Sequence, residues 1–180
     1  MKNAILFHGT GSDPNSFWFP YVKSELELKH ISVWIPALPE TDTPDIKKWL
    51  PVALKGTYSD ETLIIGHSAG CPLTLSVLES IDVKISRAIF VSGYARNIWH
   101  DKENKLLQQN YDWEKIKHNV KEFYFINSDN DPWGCNETEG KYLFDKLGGT
   151  QIIRHGEGHM GSVLFKQPYE KFPFLLKFIL

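Results

Sequence analysis

The segment Gly66-His67-Ser68-Ala69-Gly70 places a serine at the centre of a G-x-S-x-G pentapeptide, after the apolar run 62–65 and before a helical pattern over 72–81. Strand, sharp turn and helix in that order form a nucleophile elbow, which exposes the serine Oγ at the carboxyl end of a sheet. Glycine at 66 and 70 lets strand and helix approach with no Cβ between them. A serine hydroxyl is a weak nucleophile near neutral pH and needs an imidazole within hydrogen-bond reach to take its proton. His159, in Glu157-Gly158-His159-Met160-Gly161, is the candidate base. Asp131, in Asp129-Asn130-Asp131-Pro132, is the candidate to hold the other ring nitrogen and stabilise the imidazolium that forms. The backbone N–H groups of Thr10 and Ala69 are the candidate oxyanion donors, each costing roughly 3 kcal/mol on removal.

By itself the pentapeptide is a common pattern, and an ordinary turn serine is the plain alternative for Ser68. Its weight comes from what accompanies it. Polar groups fall at the carboxyl ends of four expected strands: His8-Gly9-Thr10-Gly11, Ser68, Asp129 with Asp131, and His155 with His159. In an open parallel sheet, that edge is where ligands bind. A base needs loop length after its strand to swing over the elbow, which favours His159 over His155. Pro132 holds Asp131 extended and suits a side chain aimed along a loop, which favours Asp131 over Asp129. Asp129 is read as a turn residue, His8 as a hydrogen-bonded strand-end residue, and His67, on the far side of the tight turn, as packing. Among the tryptophans, Trp99 and Trp133 stand in loops at the active edge and are assigned to a substrate pocket.

Cofactor motifs are incomplete. In His8-Gly9-Thr10-Gly11-Ser12-Asp13-Pro14, proline occupies the place of the third glycine of G-x-G-x-x-G, so no dinucleotide is expected. There is no Gly-Lys-Ser/Thr phosphate loop. His155 and His159 are separated by two glycines that disfavour a helix, and Glu157 is not placed as in H-E-x-x-H, so no metal is expected.

Apolar runs at 3–7, 31–35, 62–65, 85–91, 121–126 and 151–154 predict the strands that position these residues. Helical spacing predicts helices over 17–28, capped by Ser16 or Asn15, and over 46–54, 72–81, 136–147 and 169–180. Pro51 predicts a kink or a break near Leu50. Alternating elements with near-continuous apolar strands imply an α/β fold: a mostly parallel sheet of about six strands with helices on both faces. The stretch 94–119, polar and rich in Trp and Tyr, is read as short helices and loop over the carboxyl edge, with a minimal lid. No linker or repeat interrupts the chain, which reads as one domain over 1–180.

Composition excludes several classes. The 180 residues, 42% hydrophobic and 23% charged, suit a globular domain with a sizeable core. Twenty basic against 22 acidic side chains leave a formal charge of -2, so neither nucleic acid nor an anionic membrane is expected as a partner. The first apolar run is too short for a signal peptide or a membrane span. Two cysteines, Cys71 and Cys135, give no disulfide framework, and the cytoplasm is the expected compartment.

On these residues the chain resembles the small, nearly lidless α/β-hydrolases related to retinoblastoma-binding protein 9. The resemblance covers essentially the whole length. It rests on the glycine loop after the first strand, on Ile65-Gly66-His67-Ser68-Ala69-Gly70, on Asp129-Asn130-Asp131-Pro132 and on Gly158-His159. The chain order Ser, Asp, His is that of an α/β-hydrolase. The resemblance implies a serine hydrolase whose triad, carried over by position, is Ser68, Asp131 and His159. The mammalian member carries L-x-C-x-E just before the elbow strand. Here that region, Leu54 to Glu61, has no cysteine, and Trp133-Gly134-Cys135-Asn136-Glu137 lacks the leading Leu, so a retinoblastoma-type partner does not carry over. The expected activity is cleavage of a small ester, or an amide or thioester, through an acyl-serine, without a cofactor. The alternative is a non-catalytic protein-binding module on the same fold.

Overall fold

The computed structural model describes residues 2–98 and 103–180. Six strands, β1 (Asn3–Phe7), β2 (Ser32–Trp34), β3 (Leu63–His67), β4 (Ile85–Val91), β5 (Val120–Ser128) and β6 (Thr150–Arg154), form one sheet in the order β2-β1-β3-β4-β5-β6. Every pairing is parallel. β1 beyond Asn3 and all of β3 are buried, because both faces of the sheet are covered; hence their unbroken apolar sequences.

Side chains alternate between two layers. Ile5, Phe7, Ile64 and Phe90 meet α2 (Ile46–Ala53), α3 (Gly70–Ser80), α4 (Trp113–His118) and α5 (Glu137–Leu147) on one face. Ala4, Leu6, Ile65 and Ile89 meet α1 (Phe19–Glu27) and α6 (Pro173–Leu176) on the other. After β1 the chain runs outward to β2, then returns past β1 to begin β3 on its other side. The loops leaving β1 and β3 therefore diverge, and the crevice between them is the place where open sheets bind ligands.

The elbow glycines have the steric task the sequence suggested. A Cβ on Gly70 would stand 2.1 Å from the Phe7 carbonyl oxygen, and one on Gly66 would stand 2.8 Å from the Gly70 oxygen. α3 thus starts hard against the end of β1.

Several element boundaries differ from expectation. The first helix begins at Phe19 rather than 17, because Phe17 has a φ of 53° and Trp18 is the N-cap with no side-chain bond. Ser16 instead accepts the Asp13 N–H in the preceding turn. α2 continues through Pro51, which lies on an exposed face. The terminal helix shrinks to Pro173–Leu176: Tyr169 has a φ of 43°, and Phe172 is non-helical before Pro173. β3 and β5 each end two residues later than expected, at His67 and Ser128. The described residues of the stretch 94–119 supply one short helix, α4, and turns, and Gln108 ties them to α3 by donating to Ser76 Oγ at 3.0 Å and Glu79 Oε2 at 2.8 Å. Both cysteines are free and buried. Among the described residues, no helix is long and apolar enough to cross a membrane.

Candidate active site

Ser68 follows β3 with a φ of 53°, a left-handed conformation that is strained for a residue with a side chain. Its N–H donates to Val91 O at 3.0 Å, and its carbonyl accepts the Cys71 N–H at 2.9 Å, so sheet and helix together impose the turn. The glycine loop after β1 passes directly over it. A Cβ on Gly9 would lie 3.0 Å from Ser68 Cβ and 3.4 Å from its Oγ. Ser12 Oγ shapes that loop by donating to Gly9 O at 2.8 Å, and Gly11 N–H donates to Thr41 O at 2.9 Å. Neither the Thr10 nor the Ala69 N–H bonds to another described residue, so both donors are free for a ligand. Ala69 is also the N-cap of α3, where the helix dipole favours negative charge.

Asp131 and His159 meet behind this turn. His159 Nδ1 lies 2.7 Å from Asp131 Oδ2, and both side chains are almost entirely buried. Asp131 Oδ1 accepts the Trp133 N–H at 2.8 Å, which fixes the carboxylate plane. With the proton on Nδ1 donated to Asp131, Nε2 is left as the acceptor. Ser68 Oγ makes no hydrogen bond to a described residue. Ser68 and His159 line the same cavity of about 990 Å³, together with Thr10, Phe17, Tyr94 and Trp133.

The loop that carries His159 is held by its neighbour. Three consecutive side chains, starting at the last residue of β5, accept backbone N–H groups from it: Ser128 Oγ from Glu157 at 3.0 Å, Asp129 Oδ1 from Gly156 at 2.8 Å and Asn130 Oδ1 from Gly158 at 2.8 Å. Asp131, the fourth, takes the imidazole itself. Asp129 also holds His155 Nδ1 at 2.5 Å, with that imidazole 96% exposed. The hydrogen bonds from Gly156 and His155 hold the Asp129 carboxyl below its usual range, and Asp129 raises His155. The two residues left as rivals by the sequence thus pair with each other, outside the cavity.

His67 does more than pack. Its ring lies against Phe17, Trp18 and Phe19, and Nε2–H donates to the His159 carbonyl at 3.0 Å. Burial first, and His159 nearby, push its pKa down to about 3, so it stays neutral and its buried, unpartnered Nδ1 is a bare acceptor. Ser92 Oγ donates to the same carbonyl at 3.0 Å. Trp18 Nε1 donates to Met160 O at 2.9 Å, and Gln167 Oε1 accepts the His159 N–H at 2.9 Å. The sequence assigns His67 to packing and gives Trp18, Ser92 and Gln167 no part in this support. Ser92, at the carboxyl end of β4, carried the usable signal; Gln167, in a loop without periodicity, carried none. His8 is buried, and its Nε2 accepts the Leu38 N–H at 3.3 Å, a strand-end role. Trp133 lines the cavity, whereas Trp99 lies outside the described residues.

Among the described residues, Asp131, Cys135 and His159 form the one group whose potential ligand atoms lie within 4.8 Å of one another. Burial, and then the Asp131 charge, push the Cys135 thiol well above its ordinary pKa, so it sits beside the hydrogen-bonded pair as a neutral group. His155 and His159 do not converge on a common point: each bonds its own aspartate.

Comparison with known proteins bears on the family and the fold. A family model described as serine hydrolase matches residues 4–177. YdeN of Bacillus subtilis (strain 168) is 27% identical over 135 residues, covering 72% of this chain and 71% of that protein. The crystal structure of the ydeN gene product superposes with a TM-score of 0.88 at 22% identity, covering 99% of this chain and 97% of that one. The serine hydrolase RBBP9 of Rattus norvegicus is 28% identical over 164 residues, covering 89% of this chain and 87% of that protein. Est1E from Butyrivibrio proteoclasticus shares the fold, with a TM-score of 0.69 at 13% identity over 99% of this chain and 90% of that one. With its sheet, elbow and late histidine in the order of an α/β-hydrolase, the chain belongs to the serine hydrolase family.

Proposed function

We propose that the protein hydrolyses a carboxylic ester through an acyl-serine intermediate. Ser68 Oγ attacks the carbonyl carbon as its proton passes to His159 Nε2, and the oxyanion that develops lies between the Thr10 and Ala69 N–H groups. His159 returns the proton to the departing alkoxide, and water, deprotonated by the same ring, releases the acid. Asp131 holds the tautomer and stabilises the imidazolium. The observation that carries this reading is the buried 2.7 Å contact between Asp131 and His159, whose ring lines the cavity holding a positive-φ serine.

The competing reading, a protein-binding module with a vestigial triad, draws on the unbonded Ser68 Oγ. Catalytic hydrogen bonds are often long before substrate binds, so this weighs little. A fluorophosphonate probe separates the two. At neutral pH it labels the folded wild type and leaves Ser68→Ala unlabelled. A folded wild type that resists labelling sinks the hydrolase reading. Normal labelling without hydrolysis of short p-nitrophenyl esters points to acyl transfer or lyase chemistry instead.

A further inference from the structure

Large apolar side chains that face solvent are distributed unevenly. Leu28, Leu54, Ile153 and Leu180 stand apart, whereas Val163, Leu164 and Phe165 are consecutive, at 77%, 68% and 44% exposure. Scattered exposed apolar residues are ordinary, but a contiguous group marks a place where something apolar binds. This group sits at the cavity that holds Ser68, and Val163 and Leu164 are part of its wall.

The lip they form is firmly built. Ser162 and Gln167 make an antiparallel bridge, with N–H to O distances of 2.9 and 2.8 Å, and Lys166 N–H closes the turn onto Val163 O at 3.1 Å. Phe165 folds back against Trp133 with ring centres 5.2 Å apart, and Trp133 Nε1 donates to Ser162 Oγ at 3.2 Å. The same indole lies 6.4 Å from the His159 ring. Ring contacts therefore form a track from the imidazole over Trp133 to Phe165, next to Val163 and Leu164. Gln167 also holds the His159 N–H, so lip and imidazole share an anchor.

We propose that this track is the acyl site, and that the substrates are esters of medium-length apolar acids whose chain runs across Trp133 and ends on Val163 and Leu164. The inference rests on the acyl-serine reading. Thr10, Ser12, Asp42, Thr43 and Lys105, elsewhere on the cavity wall, suit a polar leaving group. Because Val163 and Leu164 remain largely open to water, a chain lying on them is buried on one side. Each methylene should then raise kcat/KM by about twofold, against about fourfold for full burial.

The test is a series of p-nitrophenyl esters from acetate to octanoate, read below the micelle-forming concentration and repeated in a second set above it, with wild type and Val163→Ser/Leu164→Ser. The octanoate-to-acetate ratio of kcat/KM is read within each protein, so any general loss cancels. It is expected to be roughly fiftyfold in wild type and to fall below about fivefold in the double variant. Calorimetric binding of the same esters to Ser68→Ala, with and without the lip substitutions, reads the same ratio without chemistry. The acyl site therefore stays under test even if the wild type proves inactive. A flat chain-length profile overturns the proposal, as does a ratio that survives the lip substitutions. A rise seen only above the micelle-forming concentration makes the lip an interfacial docking surface and also overturns it.

Discussion

His67 Nε2 lies 3.0 Å from the backbone carbonyl of His159, so the residue before the elbow serine fixes the loop that carries the proposed base. Ser92 Oγ shares that carbonyl, so losing His67 removes one of two donors. Displacing the base slightly should slow chemistry with little effect on substrate affinity. His67→Phe is expected to lower kcat by about tenfold to a hundredfold while KM changes by less than about twofold. His67→Gln, which keeps an N–H donor, should recover much of that loss. Steady-state kinetics on p-nitrophenyl acetate decide it: a rise in KM at constant kcat would make His67 a wall of the substrate site instead.

The same buried imidazole makes stability depend on pH. Its pKa falls from 6.5 to about 3 on folding, so the native state stays unprotonated where the unfolded chain takes up a proton. The stability it supports is complete above pH 6.5 and drains away as pH falls toward 3, by up to about 1.4 kcal/mol per unit. Between pH 7 and 5 that amounts to about 2 kcal/mol. Urea unfolding at both pH values should show wild type losing more stability than His67→Gln by about this amount. Parallel losses in the two proteins would place the effect elsewhere.

Two aspartate–histidine pairs stand in one loop system, and substitution should tell them apart. Asp131→Asn keeps the shape but favours the wrong imidazole tautomer, and is expected to lower kcat about 10⁴-fold. Asp129→Asn still offers an oxygen to the Gly156 N–H, at a pair whose histidine is 96% exposed, and should cost less than about threefold. Comparable losses for both would assign the base role to the wrong histidine.

The elbow has no room for a methyl group. Gly70→Ala would set a Cβ 2.1 Å from the Phe7 carbonyl oxygen, where backbone rather than a flexible side chain must yield. Destabilisation of more than about 3 kcal/mol is expected, by thermal or urea unfolding. A fully stable, labelled Gly70→Ala would show that β1 can move away from α3.

Ser68, Asp131 and His159 were legible because each stands where an apolar run gives way to polar residues, and a parallel sheet gathers such points along one edge. Gly66 and Gly70 were legible for a related reason: a small residue on each side of a turn reports close approach. The supporting set was not. His67 reads as packing on the far side of the turn until β3 is seen to run two residues further, which carries its ring under the His159 loop. Phe17 is an ordinary apolar residue in sequence, and only the fold forces its φ to 53° and delays α1. Gln167 reaches His159 from a segment whose spacing obeys no period. The apolar lip at 163–165 likewise gives no helix or strand signal, since it is defined by what it leaves uncovered.

Residues 128–131 are laced to residues 156–159 as a boot is laced: the first two ties cross, Ser128 to Glu157 and Asp129 to Gly156, before Asn130 takes Gly158 and Asp131 takes His159. Substituting one of these residues loses only its own ties, but inserting or deleting a residue between Ser128 and Asp131, or between Gly156 and His159, shifts the acid against the ring and uncouples Asp131 from His159. Loop length there is consequently a stricter requirement than loop sequence. Variation in length belongs instead at 163–166, beyond the Ser162 to Gln167 bridge, where extra residues would enlarge the lip without reaching the imidazole.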